Sequence, residues 1–173
     1  AVMASRGVTS HGGGLREADG PDGRTGFFQH EEERMKDCIF CKIIRGEIPS
    51  IKIYEDERVF AFMDINPISK GHALVIPKVH AENIWEMASE DLVAVHTASK
   101  AVAHALRSAL SAEGIACLQL NGAAVGQVVM HYHLHLVPRV KGAPALPMSH
   151  WELKPGNMDE IKGIARKISA DIR

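Results

Sequence analysis

The chain has 173 residues and a formal net charge of −1, and hydrophobic and charged residues make up 46% and 24% of it. This composition is typical of a globular protein, and it lacks the basic excess of a nucleic-acid-binding domain. No apolar run approaches the roughly 20 residues that a membrane-spanning helix needs. Three cysteines, two of them in CIFC, do not form a secreted disulfide framework, so we expect a reducing, cytoplasmic location.

Residues 1–34 differ from the rest of the chain because they are rich in Gly, Arg, Asp and Glu and have almost no apolar periodicity. They also lack the apolar segment of a signal peptide. We expect a flexible tail, either added to the protein or encoded upstream of it. Met35 would then begin a single domain over residues 35–173.

The first half of this domain predicts three strands and a long helix. Runs at 52–55 and 59–65 are joined by a polar turn, and the mostly apolar run at 72–77 predicts a central strand. Helical spacing of apolar residues begins at Ser89, and we expect Gly114 to end that helix.

The second half predicts a fourth strand at 115–120, a glycine-bearing loop at 121–127 and a strand at 128–138. Asn157 can cap a last helix, with Glu160 three residues later as in a capping box. We therefore predict an α+β fold with an antiparallel sheet of about five strands, one long central helix and a C-terminal helix. We expect the helices to lie on one side of the sheet.

The last strand carries HYHLHLVP, in which His131, His133 and His135 alternate with Tyr or Leu. A period of two places the three imidazoles on one face, with neighbours about 7 Å apart. Burying three imidazoles without a ligand is unfavourable, so a purely structural role is the weakest interpretation. The row could bind a metal, but phosphate chemistry is favoured. Neutral imidazole is a good nucleophile near pH 7, and a protonated neighbour could assist the leaving group.

Cys38 and Cys41 form a CxxC, which is compatible with either a zinc site or thiol redox chemistry. Redox chemistry would require a thioredoxin-like βαβ context, which the predicted strands do not supply. A tetrahedral zinc site needs two further ligands, and free buried thiols are the alternative. Cys117, in a predicted strand, is expected to be a small core residue.

HYHLHLV resembles the signature of the histidine triad superfamily. The segments CIFCKIIRGEIPS, YEDERVFAFMDINPISKGHALVIPKVH and NGAAVGQVVMHYHLHLVPR are similar to those of bacterial members of its Hint branch, in the same order. The resemblance covers roughly residues 37–139, and it implies the fold of that superfamily.

The resemblance implies a role for each matching residue. His133 would be the nucleophile that attacks the α-phosphorus and becomes nucleotidylated. His135 would contact the phosphate and help the leaving group depart, while His131 would set the geometry of the site. His72 would be a further active-site histidine, and Asp64 would bind the ribose hydroxyls, which a carboxylate accepts well.

Other matching residues would surround the nucleotide. Residues of the glycine-bearing loop would lie beneath the phosphate: Asn121, Gly126, Gln127 and Val128. Apolar residues would line a slot for the purine base, or would be ordinary core residues: Phe40, Ile43, Phe62 and Ile65. Most relatives carry Ser or Thr where Val128 stands, so we expect a weaker phosphoramidase than a Ser-bearing relative.

In many bacterial members of this branch, two histidines complete the zinc site of the CxxC, and here they are His80 and His131. Such a site would be structural, and the chemistry at His133 would require no metal. The resemblance also implies a homodimer.

The implied function is a nucleotide hydrolase or nucleotidyl transferase. It would act on purine nucleoside 5′-phosphoramidates or adenylates and release a nucleoside monophosphate. The alternatives are a Fhit-like dinucleoside polyphosphate hydrolase and a zinc-stabilised nucleotide-binding or adaptor protein with little turnover. Three retained triad histidines favour an enzyme, because binding alone requires no nucleophile.

Overall fold

A computed structural model describes residues 35–144, 146 and 156–171. The chain divides into two compact units, Ala1–Arg139 and Val140–Arg173. The predicted tail at 1–34 lies outside the described residues. Among the described residues, no helix is both long and apolar enough to cross a membrane.

The described part of the first unit is a mixed α/β arrangement. In chain order its elements are α1 (Ile39–Ile44), β1 (Lys52–Glu55), β2 (Val59–Met63), β3 (Ala73–Pro77), α2 (Ser89–Leu110), β4 (Gly114–Leu118) and β5 (Leu134–Arg139). The strands form one antiparallel sheet in the order β1-β2-β3-β5-β4, with a short 3₁₀ helix between β4 and β5. This confirms the predicted antiparallel sheet and long helix.

The second unit contains helix α3 (Met158–Asp171), which is the C-terminal helix that the sequence predicted. The side-chain Oδ1 of Asn157 accepts hydrogen bonds from the backbone N–H groups of Asp159 and Glu160, at 3.0 and 3.2 Å. These bonds satisfy two donors at the start of the helix, so the predicted cap at Asn157 is confirmed.

Helix α2 packs on one face of the sheet. Val95, Val102 and Leu106 recur at helical spacing and are buried against alternate residues of β2 and β3. Tyr132 belongs to the same core cluster. The helix ends at Leu110 because the next residue adopts the left-handed conformation, with φ of 51°, three residues before the glycine that we expected to end it.

Helix α1 covers the opposite face. Phe40 and Ile43 pack against the other set of alternate strand residues, among them Phe62 and Leu74. The expectation that the helices lie on one side of the sheet was therefore wrong. A six-residue helix gives too little periodicity to predict, and contacts with the sheet stabilise it rather than helix propensity.

Strand β5 begins at Leu134, so His131 and His133 precede it, contrary to the predicted strand at 128–138. The adjacent strand ends at Pro77, which has no N–H with which to continue the ladder. The backbone N–H of Tyr132 donates instead to the carbonyl of Ala81, at 2.6 Å. The histidine segment is thus tied to the loop after β3.

Cys117 is exposed, so the expectation that it is a core residue was wrong. It lies in β4, which is an edge strand of the sheet and is only partly covered.

The turn before β3 predicts a measurable effect on stability. Gly71 has φ of 87°, and a Cβ at this position would overlap Cδ1 of Leu110. We expect Gly71→Ala to lower the free energy of unfolding by about 1–4 kcal/mol through backbone strain and overpacking. Gly114→Ala is the matched control, because a Cβ there meets nothing within 4 Å. Chemical denaturation of both variants measures the effect, and equal stabilities would contradict this account.

Candidate active site and metal cluster

A cavity of about 540 Å³ lies on the face of the sheet that carries α1. Most of the predicted site residues line it: Phe40, Ile43, Phe62, Asp64, Ile65, Gly126, Val128, His133 and His135. Other residues that line the cavity were not predicted from the sequence, including Ile48, Asn66, Ile68, Leu74 and Leu120. Leu74 shares the alternating pattern of its strand and could have been found, whereas the loop residues give no such signal.

Four predicted residues do not line the cavity: His72, Asn121, Gln127 and His131. His72 and His131 are almost completely buried, at 1% and 0% exposure, so any contribution they make passes through their neighbours.

The His133 ring is held in one tautomer by the backbone. Its Nδ1 lies 2.6 Å from the carbonyl oxygen of His131, and a carbonyl only accepts hydrogen bonds. Nδ1 therefore carries the proton and Nε2 keeps its lone pair. The ring packs edge-to-face against Phe40, with centroids 5.3 Å apart. Burial lowers the pKa of His133 below 6.5, so the imidazole is neutral near pH 7.

A chain of hydrogen bonds orients His135. Nδ1 of His72 accepts a bond from the backbone N–H of Ile68, at 3.2 Å. Nε2–H of His72 then donates to Nδ1 of His135, at 2.9 Å. Because Nδ1 of His135 accepts this bond, the proton of neutral His135 is on Nε2. The carboxylate of Asp64 lies 3.4 Å from Nδ1 of His72.

His72 and His135, which this hydrogen bond joins, are both neutral near pH 7. Burial lowers the pKa of His72, although the carboxylate of Asp64 opposes the change. Burial, with His133 and His72 nearby, lowers the pKa of His135 to about 4. The close packing of three imidazoles therefore favours neutral His72 and His135 in the free protein, rather than the protonated neighbour of His133 that the sequence allows.

The amide side chains of the glycine-bearing loop bond within the protein. Oδ1 of Asn121 accepts the backbone N–H of Ile84, at 2.7 Å. Oε1 of Gln127 accepts the N–H of Gly122, and its Nε2 donates to the carbonyl of Glu82, both at 2.6 Å. These side chains join the loop to the segment after β3.

A second cluster brings together Cys38, Cys41, His80 and His131, whose ligand atoms all lie within 4.8 Å of one another. Nδ1 of His131 is 3.5 Å from both sulfur atoms, and Nδ1 of His80 is 3.4 Å from Sγ of Cys41. Zn–S and Zn–N bonds of about 2.3 and 2.0 Å in a tetrahedron give an S···N separation of about 3.5 Å. The four donors therefore fit a closed tetrahedral zinc site.

The surroundings of the cluster also fit a metal. Nε2–H of His131 donates to the carbonyl of Pro77 at 3.0 Å, so its Nδ1 is free of a proton and faces the sulfur atoms. A hydrogen bond with Cys41, and others with the two histidines, lower the pKa of Cys38, whereas the bond with Cys38 and burial raise that of Cys41. One thiol therefore ionises readily, as a metal ligand must.

Comparison with known proteins places the chain in a family. The model of the HIT domain matches residues 45–142. The chain belongs to the HIT family.

Two curated relatives illustrate the similarity. "Protein hit" of Bacillus subtilis is 42% identical, over 78% of this chain and 97% of the relative. "Adenosine 5'-monophosphoramidase hnt1" of Schizosaccharomyces pombe is 39% identical, over 79% of this chain and 98% of the relative.

Solved structures of the family share the fold. A HIT-family protein from Bacillus subtilis has a TM-score of 0.74 and 39% identity, over 79% of this chain and 98% of that chain. A Zn-bound histidine triad family protein from Mycobacterium smegmatis has a TM-score of 0.61 and 32% identity, over 79% of this chain and 99% of that chain. The predicted HIT-like fold is therefore confirmed.

The hydrogen-bond partners predict the tautomers of this HIT protein. We expect His133 to carry its proton on Nδ1, and His72 and His135 to carry theirs on Nε2. Long-range ¹H–¹⁵N NMR spectra distinguish the two forms, and a pH titration of the same signals should place the pKa of His133 below 6.5. A proton on Nε2 of His133 at pH 7 would contradict the account.

Proposed function

We propose that this HIT protein is a nucleotide hydrolase that acts at the α-phosphate of purine nucleoside 5′-phosphoramidates or adenylates. The observation that carries the proposal is the fixed tautomer of His133. Its Nδ1–H is bound to the His131 carbonyl, so an unprotonated Nε2 is available for attack in a cavity of about 540 Å³. A cavity of this volume suits a small-molecule ligand.

The nucleoside would bind at the end of the cavity formed by α1 and β2. Phe40 and Phe62 lie edge-to-face with centroids 5.5 Å apart, and with Ile43 they offer an apolar surface for a purine. Asp64 follows directly after β2, and its carboxylate can accept both hydroxyl protons of the ribose. We infer that this end of the cavity orients the α-phosphate toward His133.

In the first step, Nε2 of His133 attacks the α-phosphorus and the bond from phosphorus to the leaving amine breaks. Binding of the anionic phosphate favours one additional proton on the hydrogen-bonded pair of His72 and His135. The pair donates a proton through Nε2 of His135 to the departing amine nitrogen, so a neutral amine leaves, the pair is left neutral, and a nucleotidyl-His133 remains. His72 is hydrogen-bonded to Nδ1 of His135 and keeps the donating nitrogen aimed at the cavity. The additional proton is needed because a neutral imidazole that gave up its only N–H proton would become an imidazolate anion, whereas the protonated pair returns to neutrality.

In the second step, Nε2 of His135 accepts a proton from water while the water oxygen attacks phosphorus. The bond from phosphorus to His133 breaks, the nucleoside monophosphate leaves, and both imidazoles return to their starting tautomers. Covalent catalysis lowers the barrier because it replaces one difficult displacement at phosphorus with two easier ones. An acceptor other than water would make the same intermediate a nucleotidyl donor. The S. pombe relative, which is named as an adenosine 5'-monophosphoramidase, supports this class of reaction.

We further propose that Cys38, Cys41, His80 and His131 hold a structural zinc ion, which would supply a cross-link rather than chemistry. The closed donor set and the Zn-bound relative from M. smegmatis support this assignment. His131 belongs to both sites, because its main-chain carbonyl also binds the nucleophile.

The assembly and the boundaries of the protein are proposals as well. We infer a homodimer, since β4 is an edge strand whose free backbone groups can pair with a second copy. We propose that residues 35–173 form the functional domain. We also propose a reducing cytoplasm as its location, because two closely placed thiols act as zinc ligands only when they are reduced.

Steady-state hydrolysis tests the proposed function. We expect the native protein to release AMP from adenosine 5′-phosphoramidate, and His133→Ala to slow release on the order of 10³-fold or more, as expected for loss of a nucleophile. His104→Ala, at an exposed position of α2, is the matched control and should retain full activity. Chromatography of AMP gives the rates. Equal rates for native protein and His133→Ala would exclude the proposal.

Metal analysis tests the second site. The purified protein should contain about one zinc ion per chain, and Cys41→Ser should lose most of it because one thiolate ligand is gone. Cys117→Ser removes the exposed thiol of β4 and should keep the metal. Cobalt substitution gives an independent readout through thiolate charge-transfer absorption. Unchanged zinc content in Cys41→Ser would show that the cluster is not the site.

A further inference from the structure

We propose that Asp64 has a second role besides binding the ribose: its carboxylate holds the additional proton of the His72–His135 pair at Nδ1 of His72. Asp64 would act on the reaction through His72, and the proton that it stabilises would allow the leaving amine to depart. The inference rests on the proposed function and names a further residue that the leaving-group step requires.

The carboxylate of Asp64 is held in place by its neighbours. Its Oδ1 accepts the backbone N–H of Asn66 at 2.7 Å, and its Oδ2 lies 3.4 Å from Nδ1 of His72. The main chains of the two residues are also joined, because the N–H of Asp64 donates to the carbonyl of His72 at 3.0 Å. A carboxylate offers about four acceptor sites on its two oxygens, so these contacts leave sites for the ribose hydroxyls.

One nitrogen of the pair can take up a proton and face this negative charge. Nε2 of His72 and Nδ1 of His135 share a hydrogen bond, and Nε2 of neutral His135 already carries a proton. Nδ1 of His72 accepts the backbone N–H of Ile68, at 3.2 Å. Protonation of Nδ1 would exchange this hydrogen bond for an ion pair with Asp64. We therefore expect the proton to enter only when a phosphate adds negative charge nearby.

The charge of Asp64 is effective because both groups are shielded from water. The side chains of His72 and Asp64 are 2% and 17% exposed, so solvent screens their interaction little. Burial lowers the pKa of both histidines of the pair, and His133 lowers that of His135 further. Asp64 opposes the change at both. Among the described residues, Asp64 is therefore the charged group that favours the additional proton.

The proton balance follows from this arrangement. A proton from solvent enters at Nδ1 of His72 when the substrate binds. As the bond from phosphorus to nitrogen breaks, the Nε2 proton of His135 passes to the amine, and the Nε2 proton of His72 passes to Nδ1 of His135. The pair is then neutral, and the proton on Nδ1 of His72 still faces Asp64. In the second step these transfers reverse, and the additional proton returns to solvent when the nucleotide leaves.

Single-turnover rates at saturating enzyme test this role with two substrates that share the ribose contact. The amine of adenosine 5′-phosphoramidate must be protonated, whereas the p-nitrophenyl ester of AMP releases a stable nitrophenolate anion. Above pH 7, we expect Asp64→Asn to lower the ratio of the amidate rate to the ester rate by about tenfold or more, as loss of a neighbouring opposite charge predicts. Glu57→Gln removes an exposed charge between β1 and β2 and should keep the native ratio.

The pH dependence has a defined sign. The amidate rate of the native protein should fall as the pH rises through the pKa of the pair in the complex. In Asp64→Asn this fall should occur at lower pH, because the charge that favours the proton is gone. The ester rate should not show it. ¹⁵N NMR spectra of the native protein with AMP give a second readout, in which Nδ1 of His72 should carry a proton that it lacks in the free protein.

The outcomes separate this inference from the proposed function. An equal loss for both substrates in Asp64→Asn would show that the carboxylate acts only through the ribose, and it would overturn this inference while the proposed function stands. An unprotonated Nδ1 of His72 in the complex with AMP would also overturn it. Cleavage of neither substrate by the native protein would overturn the proposed function and this inference with it.

Discussion

The arrangement of both sites depends on one residue, His131. Its side chain faces two cysteine sulfur atoms through Nδ1 and is fixed by the carbonyl of Pro77 through Nε2. Its own carbonyl, 2.6 Å from Nδ1 of His133, decides which nitrogen of the proposed nucleophile carries a proton. A change in the conformation of His131 would disturb the cysteine–histidine cluster and the tautomer of His133 together. The cysteine–histidine cluster and the proposed active site are therefore physically coupled.

The chain reaches this arrangement because strand pairing stops early. The ladder between β3 and β5 ends at the pair Val75–Leu134, and Pro77, two residues further along β3, has no N–H with which to extend it. The backbone N–H of Tyr132 donates instead to the carbonyl of Ala81, in the loop after β3. Gln127 and Asn121 add side-chain bonds between the same two segments. The histidine segment is thus irregular, but the backbone N–H groups of His131 and Tyr132 are hydrogen-bonded to Val129 and Ala81. Because this backbone is not paired in the sheet, the carbonyl of His131 is available to accept a hydrogen bond from His133.

Much of the fold could be predicted from residue patterns, because alternation and helical spacing report which side chains are buried. The strand at 52–55 and the start of α2 at Ser89 matched the prediction. The start of β5 did not, since it depends on a proline in another strand, and α1 was too short to show a period. Most of the residues that line the cavity could be named from motifs and from the family resemblance. The bonds of Gln127 and the neutral state of His135 could not, because they arise from neighbours distant in sequence.

The central claim is that His133 becomes covalently nucleotidylated. The most direct test mixes the native protein with excess adenosine 5′-phosphoramidate, quenches within milliseconds, and measures intact mass followed by peptide mapping. The account predicts an AMP-sized adduct on His133 in the native protein and none on His133→Ala. An adduct on a different residue, or the same adduct on His133→Ala, would contradict it.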